Sequence, residues 1–276
     1  MKVLAIILIV IVVLAILYFL MIMPRMAHKP DTACFKEWLY AHRGLHNNAG
    51  NAPENSLAAF EKAVKAGYGI ELDVQLTRDN QVVVTHDFHL RRNCNVQKEV
   101  DACTYEELQQ YPIFFSKERI PLLTEVLKVV DGKVPLIIEL KYKEKSKICE
   151  KTDEILKQYH GAYCIESFHP QVLLWYRKHR PQVCRGQLSM NYQKEEGWRK
   201  PQYYILRHLL LNFLTKPDFI AYDCRSPHAV SLWICRHLFR CPAYAWTVKS
   251  KNQLERCRGQ FDAWIFEGFR PENGRE

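Results

Sequence analysis

The feature that most restricts the fold of this chain is an alternation. Brief β-rich runs at 39–42, 69–74, 134–140, 162–167, 183–189, 219–223, 243–248 and 263–267 are separated by longer stretches of helical period. Short strands spaced by helices mark βα units, because parallel neighbours in a sheet need a crossover of roughly a dozen residues or more. Eight such units in roughly 250 residues match the size of one α/β domain, a closed TIM (β/α)8 barrel. An open doubly wound sheet is the alternative, but no Gly-rich phosphate loop follows the first run. The segment 56–66 shows the helical pattern: Leu57, Phe60 and Val64 share a face, Pro53-Glu54-Asn55-Ser56 supplies a start and Gly67 a stop.

One apolar run, 82–85, breaks the alternation, since too few residues separate it from 69–74 for a parallel return. It is expected to fold back as a hairpin. With Asp79-Asn80 as a two-residue turn, Asp73 would face His86. The hairpin would then rise above the C-terminal rim of the barrel, where such barrels carry their sites, and return His86 beside the strand carboxylates.

Ahead of the barrel, positions 3–23 are 21 uninterrupted apolar residues. At about 1.5 Å per residue they span a hydrocarbon core about 30 Å thick. A cleaved signal peptide has a shorter apolar core, about 7 to 15 residues, followed by a small-x-small site, and Met21-Ile22-Met23-Pro24-Arg25 is not one. The expected organisation is a transmembrane anchor at 1–23, a polar linker at 24–37 and the barrel at 38–276, giving a single-pass membrane protein. Lys2 on one side and Arg25 and Lys29 on the other leave the orientation open.

The net charge of +9 lies in clusters such as Arg177-Lys178-His179-Arg180, without Arg-Gly repeats, zinc knuckles or a basic zipper. It suits phosphate or an anionic membrane surface, and no nucleic-acid partner is expected. None of the ten cysteines forms a C-x-x-C pair, and Cys164, Cys184 and Cys224 fall inside apolar runs. Buried free thiols, favouring a reducing compartment, are expected rather than disulfides or a zinc site.

Chemistry concentrates at the ends of the first strands. Glu71 and Asp73 are two apart, so their side chains share one face while Ile70, Leu72 and Val74 take the other. Two buried like charges are costly without a cation, which points to a hard divalent metal. Glu139, preceded by Pro-Leu-Ile-Ile, repeats the situation on the next barrel strand, with Lys141 two residues on along the same face. His42 ends the first strand and His86 precedes Asp87; two imidazoles near a metal can act as general acid and base. Arg43 can fork two phosphate oxygens and Lys141 adds a point charge, so phosphate chemistry is the economical reading.

The words His42-Arg43-Gly44, Pro53-Glu54-Asn55-Ser56, Glu71-Leu72-Asp73-Val74, His86-Asp87, Ile138-Glu139-Leu140-Lys141, Ser167-Phe168 and Trp246-Thr247-Val248 occur in this order across nearly the whole barrel. Together they resemble the glycerophosphodiester phosphodiesterase family. The resemblance implies a barrel that cleaves glycerophosphodiesters to an alcohol and glycerol 3-phosphate. It implies one Ca²⁺ or Mg²⁺ held by Glu71, Asp73 and Glu139, with His42 and His86 as acid and base. It also implies phosphate held by Arg43 and Lys141, and Trp246 near the glycerol. Glu54 and Asn55 would orient these groups, although a helix-start role explains them as well. Ser167-Phe168 and Asp223 are expected only to lie on the rim.

The chain departs from the family pattern in two places. Phe266-Glu267-Gly268 replaces the Thr-Asp or Thr-Asn pair after the last strand, so the family's contacts from that strand are not carried over. The segment from Phe88 to Thr104 has no room for an inserted domain, which predicts a more open mouth. The run 202–214 is too short to span a bilayer and nearly apolar all round, so it is either an ordinary barrel helix or a lipid contact beside the pocket. The rival activity is a lysophospholipase D-like cleavage of lysophospholipids. The rival class, a tethered binding module without chemistry, is disfavoured by the complete set of three carboxylates and two histidines.

Overall fold

The computed structural model describes residues 2–143, 147–192 and 200–272. Among the described residues nine strands form one sheet: β1 Leu39–His42, β2 Gly69–Leu76, β3 Val82–Val84, β4 Leu136–Leu140, β5 Tyr163–Ser167, β6 Arg185–Ser189, β7 Phe219–Asp223, β8 Ala243–Val248 and β9 Ala263–Phe266. All pairings are parallel except β2 with β3, and β1 pairs with both β9 and β2. The eight parallel strands therefore close on themselves as the expected TIM barrel, with helices such as Leu57–Lys65 packed outside. Ser56 caps that helix by accepting the Ala59 N–H, as the start signal predicted.

Alternation along the strands sorts the interior into layers. Tyr40, Ile137, Cys164, Phe219, Tyr244 and Ile265 make an apolar floor, stoppered by Phe35, whose carbonyl accepts the Tyr40 hydroxyl at 3.0 Å. Glycines clear room for these rings: a Cβ on Gly186 would stand 2.2 Å from Phe219, and one on Gly69 would stand 2.6 Å from Tyr40. Two residues further along several of these strands the inward positions become polar: Glu71 and Asp73, Glu139, Glu166. The period-two geometry of a strand thus puts the site above the floor, at the C-terminal rim.

The hairpin forms, but one residue out of the expected register. β3 pairs Val84 with Val74 and Val82 with Leu76, and the Thr85 N–H, not a group of His86, meets the Asp73 carbonyl at 2.9 Å. The reason is the turn. The Thr77 N–H donates to the Gln81 carbonyl at 3.0 Å, closing a three-residue loop in which Asn80 takes φ 60, a left-handed conformation that asparagine tolerates. The Thr77 hydroxyl fastens Asp79 at 2.6 Å. His86 still reaches the site, because the buried Gln75 amide gathers the carbonyls of Thr85, His86 and Asp87 at 2.9, 3.0 and 2.9 Å. In the segment beyond it, Leu90, Val100, Cys103, Leu108, Ile113 and Ile120 pack with Val83 of β3 as a small core of their own.

The N-terminal helix Lys2–Ile22 has a mean hydropathy of 3.5 and is long and apolar enough to cross a membrane. Its final turn is docked on the barrel. Ile22 is fully buried, and its carbonyl accepts from the Asn212 amide at 3.0 Å and the Cys235 thiol at 3.3 Å. All ten cysteines are free and eight are buried, as expected from their apolar surroundings.

Candidate active site

The turn after β1 arranges the first cationic group. Arg43 has φ 57, and the next residue must be glycine: Gly44 has φ +82, and a Cβ there would lie 2.9 Å from the backbone of Ala59. This turn aims the Arg43 backbone N–H at Glu71 Oε2, 3.2 Å away. Its guanidinium spans Glu54 Oε1 at 2.8 Å and Asp73 Oδ2 at 3.4 Å. Asn55, itself at φ 56, donates its backbone N–H to the Arg43 carbonyl and its side-chain amide to Asp73 Oδ2, both at 2.9 Å. Glu54 accepts from Arg92 at 2.6 and 2.9 Å and from Asn48 at 2.9 Å. Glu54 is thus tied to Arg43 and Arg92, and Asn55 to Asp73, while Ser56 caps the helix.

Glu71, Asp73 and Glu139 are buried and can each place an oxygen within 4.8 Å of the others. Register explains the convergence, since Asp73 lies directly beside Glu139 across β2 and β4. Lys141 Nζ lies 2.9 Å from Asp73 and 2.7 Å from Glu139. Burial and the neighbouring Asp73 charge push the Glu71 carboxyl well above its ordinary range; burial raises Glu139 too, against the pull of Lys141. Asp73 goes the other way: burial alone would raise it, but Lys141, His86 and Arg43 hold it well below. Glu139 is beside Glu166 on β5, another buried carboxylate, pushed well up by burial and with Oε2 lacking a hydrogen-bond partner among the described residues. An all-oxygen set of buried carboxylates, two of them raised by burial, suits a hard divalent cation.

The histidines flank this set, each on its own carboxylate. His42 Nδ1 is 2.9 Å from Glu267 Oε2, and its Nε2 is 3.8 Å from Glu71. Burial pushes His42 down to about 4 in spite of Glu267, while the bond to His42 draws Glu267 down to about 2. His86 Nδ1 is 2.6 Å from Asp87 Oδ1, and Asp87 is gripped by Arg92. His42, His86, Arg43, Glu71, Glu139, Glu166, Glu267 and Trp246 line one cavity of about 300 Å³. Trp246 packs edge-on against Phe168 at 5.4 Å, and its buried Nε1 has no partner among the described residues. Asp223 lies outside this cavity, held by Arg225 at 2.7 Å.

Residues 42–260 match the model of the glycerophosphoryl diester phosphodiesterase family. The chain belongs to that family. As a member it is a phosphodiester hydrolase acting on glycerophosphodiesters. It is 32% identical over 241 residues to a glycerophosphodiester phosphodiesterase of Caldanaerobacter subterraneus, covering 80% of this chain and 89% of that one. It is 33% identical over 159 residues to human lysophospholipase D, covering 53% of this chain and 49% of that protein. A phosphodiesterase of Oleispira antarctica, solved with its product sn-glycerol 3-phosphate, shares the fold with a TM-score of 0.67 at 24% identity, covering 84% of this chain and 93% of that one.

Within this family member, reasoning from the sequence missed four groups at or around the site. Glu267 was set aside because its word departs from the family pattern, yet β9 ends beside β1 and delivers it to His42. Glu166 sits in the run 162–167 as an inward position, so the alternation that exposed Glu139 was available for it as well. Gln75 and Arg92 carry no motif; only the folded hairpin reveals what they hold.

Proposed function

We propose that the barrel cleaves glycerophosphodiesters to an alcohol and glycerol 3-phosphate with one divalent metal, Ca²⁺ or Mg²⁺, held by Glu71, Asp73 and Glu139. When bound, the metal supplies charge stabilisation for the phosphoryl oxygens. Arg43 and Lys141 orient the phosphate, Trp246 offers its indole N–H to the glycerol side, and Glu54 and Asn55 fix Arg43 and Asp73. His42 is the base. Its Nδ1–H is committed to Glu267, which leaves Nε2 free, and its low basicity keeps it neutral near pH 7. His86, oriented through Nδ1 by Asp87, delivers a proton to the leaving oxygen.

The observation that supports this reading is the shared cavity, in which two histidines, each tied to its own carboxylate, face Glu71 and Glu139, with Asp73 buried within 4.8 Å of both. The test is release of glycerol 3-phosphate from glycerophosphocholine, with and without chelator. His42→Ala and His86→Ala should each lower kcat by about 100-fold or more, as expected for removal of a general acid or base. Turnover unaffected by chelator, or by both substitutions, would refute it.

The organisation we propose is a membrane anchor at 1–23, a linker at 24–37 and a catalytic barrel at 38–276. It is supported by the length and hydropathy of the helix Lys2–Ile22.

A further inference from the structure

Asp73 on β2 is paired with Glu139 on β4, Glu139 with Glu166 on β5, and Glu166 with Gly186 on β6. Paired residues of parallel neighbours point to the same side and sit about 4.8 Å apart, so three carboxylates follow one another around the inner wall. Two of them have partners. Asp73 and Glu139 share Lys141 at 2.9 and 2.7 Å, and Asp73 also meets Arg43 at 3.4 Å and the Asn55 amide at 2.9 Å. Glu166 stands differently. It is 1% exposed, its Oε2 has no hydrogen-bond partner among the described residues, and it lines the catalytic cavity together with Glu71 and Glu139.

The groups beside Glu166 are committed elsewhere. Gly186 has no side chain, and the ring of Phe219 occupies the space where one would stand. The Ser167 hydroxyl donates to the Leu140 carbonyl at 2.7 Å, and the Gln187 amide serves the carbonyls of Ser167, Phe168 and Leu188 at 3.2, 3.3 and 3.0 Å. Lys249, which also lines the cavity, acts on Glu267. A buried carboxylate with an open oxygen is costly, so its partner enters the cavity from outside. Like charge keeps it from the substrate phosphate. The divalent cation has the right sign and charge: Glu71, Asp73, Glu139 and Glu166 against Arg43 and Lys141 leave two negative charges, which one such ion balances.

Glu166 is not one of the trio whose oxygens gather within 4.8 Å of one another. That offset decides which cation it serves. Mg²⁺ closes a near-ideal octahedron at about 2.1 Å, gives up its waters reluctantly and is usually held by only one or two carboxylates. Ca²⁺ accepts about six to eight oxygens in an irregular shell at about 2.3 to 2.6 Å. A carboxylate one strand beyond a compact trio extends a Ca²⁺ shell and adds no ligand to a Mg²⁺ octahedron.

We propose that Glu166 is a fourth carboxylate donor to the cation and that it makes the site select Ca²⁺ over Mg²⁺. This rests on the metal-dependent reading of Glu71, Asp73 and Glu139 given above.

The test is calorimetric titration of the full chain in detergent micelles, stripped with chelator and then titrated with Ca²⁺ or Mg²⁺ in the absence of substrate. Wild type should bind one cation and hold Ca²⁺ about tenfold or more tighter than Mg²⁺. Glu166→Gln removes a charge as well as a donor, so both affinities should fall. Only Ca²⁺ loses a ligand, so the ratio of the two Kd values should shrink by about tenfold. Glu166→Asp keeps the charge and draws the donor back by one methylene; it should lower the ratio while Mg²⁺ binds as in wild type. A role through charge alone would make Glu166→Gln weaken both cations by one factor and Glu166→Asp weaken neither. A role confined to substrate would leave both Kd values unmoved in both variants. Either result overturns the proposal, and so does a wild type that holds the two cations equally. Thermal unfolding in chelator shows whether each variant is folded, and Glu166→Asp decides alone if Glu166→Gln is not. Wild type binding neither cation would instead overthrow the metal reading itself.

Discussion

Metal-free protein should carry a measurable electrostatic burden that a divalent cation relieves. Glu71, Asp73, Glu139 and Glu166 are all buried, and Arg43 and Lys141 are the cations against them. Burial raises Glu71, Glu139 and Glu166 above the ordinary carboxylate range in the folded state. A raised folded-state value means that the native state binds protons more tightly than the unfolded chain. The associated stability is therefore full at acid pH, below the unfolded value of about 4.3, and is lost as pH rises toward the folded value. In chelator, thermal stability should fall between pH 5 and pH 8. Adding Ca²⁺ or Mg²⁺ to about 100 times its Kd should contribute about 2.7 kcal/mol, which for a domain of this size is a rise in Tm of roughly 5 to 10 °C. Glu71→Gln keeps the shape and removes one charge. In chelator it should be as stable as wild type or more stable by up to about 2 kcal/mol, and it should lose most of the metal response. Differential scanning calorimetry on both proteins, with and without chelator, reads all these quantities. A wild-type Tm indifferent to millimolar Ca²⁺ and Mg²⁺, or a Glu71→Gln protein clearly weaker than wild type in chelator, would refute the assignment of the carboxylates to a cation.

Glu267→Ala should lower kcat by about 10- to 100-fold with little change in KM, because it orients His42 without reaching substrate, and Glu267→Gln should recover part of the loss; steady-state kinetics on glycerophosphocholine checks it, and an unchanged kcat removes Glu267 from the site. Burial opposes the ionisation of Glu54, but Arg92 and Arg43 draw its carboxyl down to about 2. A depressed value gives stability that is present above the unfolded value of about 4.3 and lost as pH falls toward 2, worth about 2 kcal/mol after allowance for the half-exposed Arg92. Urea unfolding of wild type and Glu54→Gln should differ by that amount at pH 7 and converge near pH 2, and a difference independent of pH would contradict the pairing.

Much of the site was legible because it depends on strand periodicity. Glu71 with Asp73, and Glu139 with Lys141, share faces whatever the rest of the chain does. The hairpin shows the limit of that reasoning. Its existence followed from the short spacing between apolar runs, but its register depended on Asn80 accepting a left-handed conformation, and one residue of slip changed the partner of Asp73 to Thr85. The bracing by Glu54 could not be separated from a helix start in the sequence, since both use the same four residues. Only the positions of Arg43 and Arg92 distinguish them.

The sequence by itself determined the number of barrel strands, the inward row of carboxylates and the apolar N-terminal helix. Each is a repeat or a run whose meaning is set by backbone geometry over a few residues. Tertiary structure alone decided that Glu267 meets His42 and that Asn212 grips the end of the apolar helix. Those contacts join residues 225 and 190 positions apart. Their geometry is fixed by how the barrel closes and how helices pack around it, and no local period encodes either.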